Sequence, residues 1–191
     1  MSEPFAGSMQ HSGQRIAPAT FRTERLILKR ATLEHYPEMR LTDADPQVQR
    51  TLFGVVHTPE QTTGRLQRVV AHWETHGFGY YMSFTHAGEF VGQACLFRSR
   101  VYADGDVELG YVVRPPLWKR GYATEIARAL VAIAFDELEL PRIFAVTEPS
   151  NIGSRRVVEK AGLRYLGELL YRDQWPSVVY GAERNSEPAK T

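Results

Sequence analysis

Between residues 80 and 147 the apolar pattern changes from strand-like runs to a helical period and back, which restricts this chain to a mixed fold. Tyr80 to Thr85 and Phe90 to Phe97 are β-rich runs separated by His86-Ala-Gly-Glu89, a hairpin signal. Asp104-Gly-Asp106 turns the chain into a third run, Val107 to Val113, so the three predict an antiparallel meander. Ile126, Ala127, Leu130, Val131, Ala134, Phe135 and Leu138 then recur as one buried helical face. Pro141 ends that helix, and Arg142 to Thr147 is an apolar strand. A strand, a crossover helix and a second strand form a βαβ-like unit appended to the meander. The fold class is therefore α/β in the broad sense (α+β), with helices flanking one sheet.

The flanking segments extend this scheme. Arg25 to Arg30 reads as a first strand, Leu33 to Asp43 as a helix, and Pro59 to His76 as a helix with proline in its first turn. Ile152 to Ala161 forms a shorter helix that stops at Gly162, a left-handed cap. Leu163 to Gly167 and Val178 to Ala182 supply the last strands. Residues 1–20, rich in Ser, Gly, Gln and Pro, predict a flexible leader, mobile or loosely docked, residues 21–184 one domain, and residues 185–191 a polar tail.

Composition narrows the function classes. A formal net charge of +1 gives no electrostatic footprint for nucleic acid. No apolar stretch approaches the roughly 20 residues of a membrane span. Cys95 is the sole cysteine, which excludes an internal disulfide and fits a cytoplasmic location. It lies within an apolar run and reads as a packed strand residue.

The segment with the most chemistry is Trp118-Lys-Arg-Gly-Tyr-Ala-Thr-Glu125, between the strand ending at Val113 and the long helix. A helix N-terminus offers unpaired N–H groups and the positive end of a dipole. Gly121 and the small Ala123 let backbone approach a ligand, while Lys119 and Arg120 add charge. These features describe an anion pocket suited to a pyrophosphate. Read alone, they equally fit an ordinary glycine turn with solvated basic residues. The Gly-Lys-Ser/Thr ending of a Walker loop and the spaced glycines of a Rossmann turn are both absent.

Three segments in order, Glu108-Leu-Gly-Tyr-Val-Val113, Trp118 to Glu125 and Asn151 to Leu163, resemble the GNAT superfamily, specifically its RimJ/RimL-type branch. The likeness runs from about Phe21 to Arg184. It implies a GNAT fold, with a mixed, mostly antiparallel central sheet splayed between its fourth and fifth strands. It also implies acetyl-CoA as co-substrate, with backbone at Tyr111, Val112 and Val113 pairing with the pantetheine arm like an added strand. Lys119, Arg120, Gly121, Tyr122, Ala123 and Thr124 would cradle the pyrophosphate. Asn151 would hydrogen-bond the cofactor arm, although a helix N-cap fits the same position. Two residues depart from the pattern: Trp118 stands where many members have Gln or Arg, and Lys119 where close relatives often have Gly.

The resemblance implies acetyl transfer to an amine, which needs a proton acceptor because an alkyl ammonium has a pKa near 10.4. Glu108, on the splayed strand, is the candidate base, acting through water, in preference to a strand carboxylate paired with an arginine. The tyrosine that many members use to protonate the leaving thiolate is replaced by Val158, and Ser154 is the replacement candidate. A backbone N–H near Val113 is the expected carbonyl polariser. Tyr180, Phe53, Trp73, Phe78, Tyr80 and Arg98 are candidates for the acceptor side, with core packing or solvation as the plainer reading. Arg155 and Arg156 either meet a coenzyme phosphate or face water. His72 and His76 share helical spacing but lack the zincin glutamate, so no metal is expected. Partners are then acetyl-CoA and an amine, from a protein N-terminus or a small molecule, with a homodimer compatible. A catalytically inactive acyl-CoA-binding regulatory module is the alternative.

Overall fold

The computed structural model describes residues 15–52 and 54–184. Its centre is a sheet with strand order β1-β2-β3-β4-β5-β6-β8-β7. Strands β1 (Thr20–Arg22), β2 (Leu26–Arg30), β3 (Tyr80–Thr85), β4 (Phe90–Arg100) and β5 (Asp104–Val113) pair antiparallel in succession. Strand β6 (Arg142–Thr147) lies parallel to β5, and β8 (Trp175–Glu183) pairs antiparallel with both β6 and β7 (Arg164–Tyr171). The register pair between β5 and β6 is Glu108–Phe144, whereas β4 and β5 pair along their length to Gly92–Val113. The sheet is therefore open beyond Glu108. This is the expected splay; the short β1 makes the parted strands fifth and sixth rather than fourth and fifth.

The pleat sends neighbouring residues to opposite faces, and helices cover both. On one face α4 (Tyr122–Ala132) places Ile126 and Leu130 against Leu28, Tyr81, Leu96 and Leu109 in one buried cluster. On the other, α1 (Tyr36–Asp43) and α3 (Pro59–His76) bring Met39, Leu66 and Val69 against Met82 and Phe90. Helix α3 starts with a capping box between Thr58 and Gln61 and ends at Gly77 in the left-handed conformation. A short α2 (Pro46–Arg50), not expected from the sequence, is capped by the Asp45 side chain.

The long helix departs from its expected regular form. After Ala132 it opens into a π turn, Ile133–Glu137, with Leu138 N–H bonding Ile133 O at 3.0 Å. The wider turn places both Ile133 and Ala134 in the core. Helix α5 (Ile152–Lys160) ends as expected: Gly162 has φ +98°, and bonds from Gly162 N–H to Glu159 O and Leu163 N–H to Val158 O close a Schellman motif. The β7–β8 hairpin is longer than the sequence suggested, because Arg172 and Asp173 make its turn at positive φ without glycine.

Residues 1–14 of the expected leader and 185–191 of the expected tail lie outside the described residues. Of the remainder, Ala17 N–H bonds Gly77 O at 2.8 Å and Pro18 O accepts from the Tyr81 hydroxyl at 2.9 Å. No described helix is long and apolar enough to cross a membrane.

Candidate active site

The parting of β5 and β6 opens a cleft of about 950 Å³. It runs from the turn before α4, between the two strands and past α5, to Glu108 and the α2–α3 and β7–β8 loops. Arg114 N–H bonds Val91 O, so Arg114 and Val112 turn their backbone groups towards β4. Strand alternation then turns the N–H and C=O groups of Tyr111 and Val113 to the cleft. Val112 lines the cleft by its side chain rather than its backbone, a correction to the expected grouping of the three. The departing residue Trp118 has a definite role here: its indole N–H donates to Val113 O at 2.6 Å. Tyr111 thus keeps both backbone groups, and Val113 its N–H, for an added partner.

At the wide end, Gly121 is the N-cap of α4 with φ +82°, and Lys119, Gly121, Tyr122, Ala123 and Thr124 line the cleft. Arg120 does not; its carbonyl is held by Arg25 Nη1 at 2.9 Å. Arg25 anchors the turn more broadly. Its Nε bonds Glu125 Oε2 at 2.6 Å, its backbone N–H bonds Glu125 Oε1 at 2.8 Å, and its guanidinium lies 4.7 Å from the Tyr122 ring centroid. Burial works to raise the Glu125 pKa, but donations from Thr23 and Arg25 overcome it and hold the carboxyl below its ordinary range. Nothing in the sequence pattern pointed to this clamp, because its halves are a hundred residues apart. Arg156 and Lys160 of α5 also line the cleft, whereas Arg155 is bonded to Tyr180 Oη at 3.0 Å and Pro149 O at 3.1 Å.

Lys119 keeps the backbone that glycine would provide there, with φ +62°. A left-handed side-chain residue costs about 1–2 kcal/mol, and glycine's extra unfolded-state freedom returns roughly 0.5–1 kcal/mol of that. Lys119→Gly should therefore stabilise the fold by about 0.5–1 kcal/mol, read by urea unfolding. A loss of stability would show that the lysine side chain supports the turn.

Glu108 sits where the strands part, on the sheet face it shares with Phe97. It is 6% exposed, and its Oε2 accepts from Ser99 Oγ at 2.9 Å and from the Tyr171 hydroxyl at 2.8 Å. Burial pushes its pKa up; the two hydroxyls and the charge of Arg172 pull the other way without reversing the shift. The sequence does not single out Tyr171 or Ser99; Tyr171 lies beyond Gly167, where the expected strand stops, and the observed β7 continues to it. Ser154 lies on α5 across the cleft, its Oγ 3.0 Å from the Tyr111 hydroxyl, whose pKa burial pushes up to about 12. Asn151 caps α5 through Oδ1, which accepts from Ser154 N–H at 3.0 Å. Val158 is buried in the cleft wall.

Of the acceptor-side candidates, Tyr80 lines the cleft, with Phe97 6.2 Å away ring to ring. Trp73 and Phe78 are core, with the Trp73 indole on Tyr80 O at 2.8 Å. Tyr180 is also core, its hydroxyl donating to Glu159 Oε1 at 3.0 Å. Arg98 bonds the Gly105 carbonyl. Phe53 lies outside the described residues. His72 is half-buried, and its ring nitrogens meet Phe78 O at 2.8 Å and Arg98 N–H at 3.0 Å. The Cys95 thiol lines the cleft floor, and burial pushes its pKa up to about 12.

Known proteins resemble this chain in sequence and fold. The family model described as acetyltransferase (GNAT) domain matches residues 25–164. FsC-acetyl coenzyme A-N(2)-transacetylase of Aspergillus fumigatus is 31% identical over 181 residues, covering 89% of this chain and 76% of its own. An acetyltransferase from Agrobacterium tumefaciens superposes with TM-score 0.75 at 28% identity, over 96% of this chain and 100% of its own. RimL, a ribosomal-protein acetyltransferase solved with coenzyme A, shares the fold with TM-score 0.71 at 16% identity, over 90% of this chain and 99% of its own. With its splayed sheet and a family match spanning most of its length, the chain belongs to the GNAT acetyltransferase family.

Proposed function

We propose that this protein transfers an acetyl group from acetyl-CoA to an amine by direct attack within a ternary complex, as an N-acetyltransferase of the RimJ/RimL type. One observation carries the reading: a single cleft joins the left-handed Gly121 turn, the backbone of Tyr111 and the N–H of Val113 turned away from β4, and the buried carboxyl of Glu108. The turn fits a diphosphate because Gly121 presents no side chain, while Lys119, Arg156 and Lys160 surround that end with positive charge. The N–H and C=O of Tyr111 suit the amides of an extended pantetheine. FsC-acetyl coenzyme A-N(2)-transacetylase and the coenzyme A complex of RimL support the choice of donor.

The chemistry then follows from the side chains along the cleft. The amine nitrogen forms a bond to the thioester carbonyl carbon, and the carbon–sulfur bond breaks. The proton lost by nitrogen goes to Glu108, directly or through water; its raised pKa brings it closer to the ammonium it must deprotonate. Val113 N–H polarises the carbonyl, and Ser154, paired with the Tyr111 hydroxyl, donates to the departing sulfur. Thiol release from acetyl-CoA with a panel of amines tests the reading, together with a gain of one acetyl group by mass spectrometry. Coenzyme A binding without turnover of any amine would replace it with the inactive-module alternative.

A further inference from the structure

The far end of the cleft has a charge pattern that goes beyond transfer to amines in general. Past Glu108 it is lined by His57 from the α2–α3 loop, Arg65 from α3 and Arg172 from the β7–β8 turn. Glu108 is the one carboxylate among the described residues that line any part of the cleft, and the proposed chemistry already employs it. An amine with a second positive charge would meet cations here and no free carboxylate.

The two arginines sit in different settings. Arg65 is held rigidly: Nη1 bonds Asp43 Oδ1 at 2.8 Å, Nη2 bonds Gln93 Oε1 at 2.9 Å, and the guanidinium lies 5.3 Å from the Tyr80 ring centroid. Asp43 is buried and also binds His57 Nδ1 at 3.1 Å, while the Gln93 amide is fixed by Thr42. These bonds use two of the five guanidinium N–H groups and leave others for a ligand. Arg172, exposed at the turn, forms no ion pair among the described residues; its guanidinium lies 5.1 Å from the Tyr171 ring, and its charge reaches Glu108. A guanidinium held in place by Asp43 and Gln93, and a second one without an ion pair lining the same cleft, suit a carboxylate, which accepts from both.

We infer that the acceptor is a small amine carrying its own carboxylate, of the amino-acid class, with the carboxylate between Arg65 and Arg172 and the amine at Glu108. The inference rests on the acetyltransferase reading and deepens it. Each free amino acid in a panel is compared with its amide, and diamines form a third arm, with thiol release at saturating acetyl-CoA as the readout. The best free amino acid should exceed its amide at least tenfold in kcat/KM and exceed every diamine. Arg172→Gln, an exposed change that does not threaten the fold, should narrow that ratio to about threefold or less. Arg65→Gln should narrow it further.

An amide used as well as its acid, or preference for a diamine, would overturn the inference while leaving acetyl transfer intact. Coenzyme A binding without turnover of any carboxylate-bearing amine would overturn it too, as would an unchanged ratio in Arg172→Gln. Failure to bind coenzyme A at all, read separately by calorimetry, would remove both readings together.

Discussion

Replacing Glu108 with glutamine is expected to lower kcat/KM about 10²- to 10⁴-fold at pH 7, the range for loss of a general base, with little change in coenzyme A affinity. The substitution keeps the shape of a side chain that accepts from Ser99 and Tyr171, so the cleft wall should persist. In the native protein the rate should rise with pH through the Glu108 pKa, which burial places above the ordinary carboxylate range. The variant loses that limb and must take neutral amine from solution. Its deficit should therefore be greatest between the Glu108 pKa and the amine pKa, and shrink as pH nears 10.4. A uniform deficit across this range would assign Glu108 a structural role instead.

The same shift has a consequence for stability with the opposite sign. A carboxyl whose pKa is higher in the folded state than in the unfolded chain favours folding when protonated and opposes it when ionised. That contribution is fully present below the unfolded-state pKa, declines above it, and is lost once pH has risen through the folded pKa. Glu108→Gln removes the buried charge, so the variant should unfold at a higher temperature than the native protein at pH 7. Higher stability with lower turnover is the pattern of a site that holds a strained charge for its chemistry.

Gly121→Val is expected to weaken coenzyme A binding by about 100-fold. A left-handed conformation costs an L-residue roughly 1–2 kcal/mol, and each 1.36 kcal/mol is a tenfold change. A β-branched side chain adds to that cost and occupies space where the backbone must approach phosphate. A Cβ at Gly121 would also lie 3.3 Å from Arg25 Nη2, pressing on the guanidinium that holds Arg120 and Glu125. Gly162→Ala is the matched control, because Gly162 also has positive φ but does not line the cleft. It should reduce fold stability by a similar conformational cost and leave coenzyme A affinity unchanged. Equal affinities for all three proteins would show that the Gly121 turn does not hold the cofactor.

Much of this arrangement was legible in the sequence, where local signals and periodicity coincide. The meander, the buried face of α4, the Gly162 cap and the glycine turn each depend on residues within a few positions of one another. What escaped depends on long-range contact. Glu125 has a strand-turn partner in Arg25, and Asp43 gathers His57 and Arg65 from a loop and a helix. The Tyr171 hydroxyl on Glu108 was hidden for a different reason. The hairpin that carries it turns through Arg172 and Asp173 at positive φ, so no Asn-Gly or Asp-Gly pair marked the strand ends. The π turn was equally unmarked, since the apolar face continues through it.

The central claim is that the turn at Gly121 holds the diphosphate of coenzyme A. Titration calorimetry of the folded protein with coenzyme A tests it most directly. The account predicts saturable one-to-one binding that Gly121→Val weakens about 100-fold, beyond the cost of the backbone term alone. Absence of binding by protein that still unfolds cooperatively would contradict it.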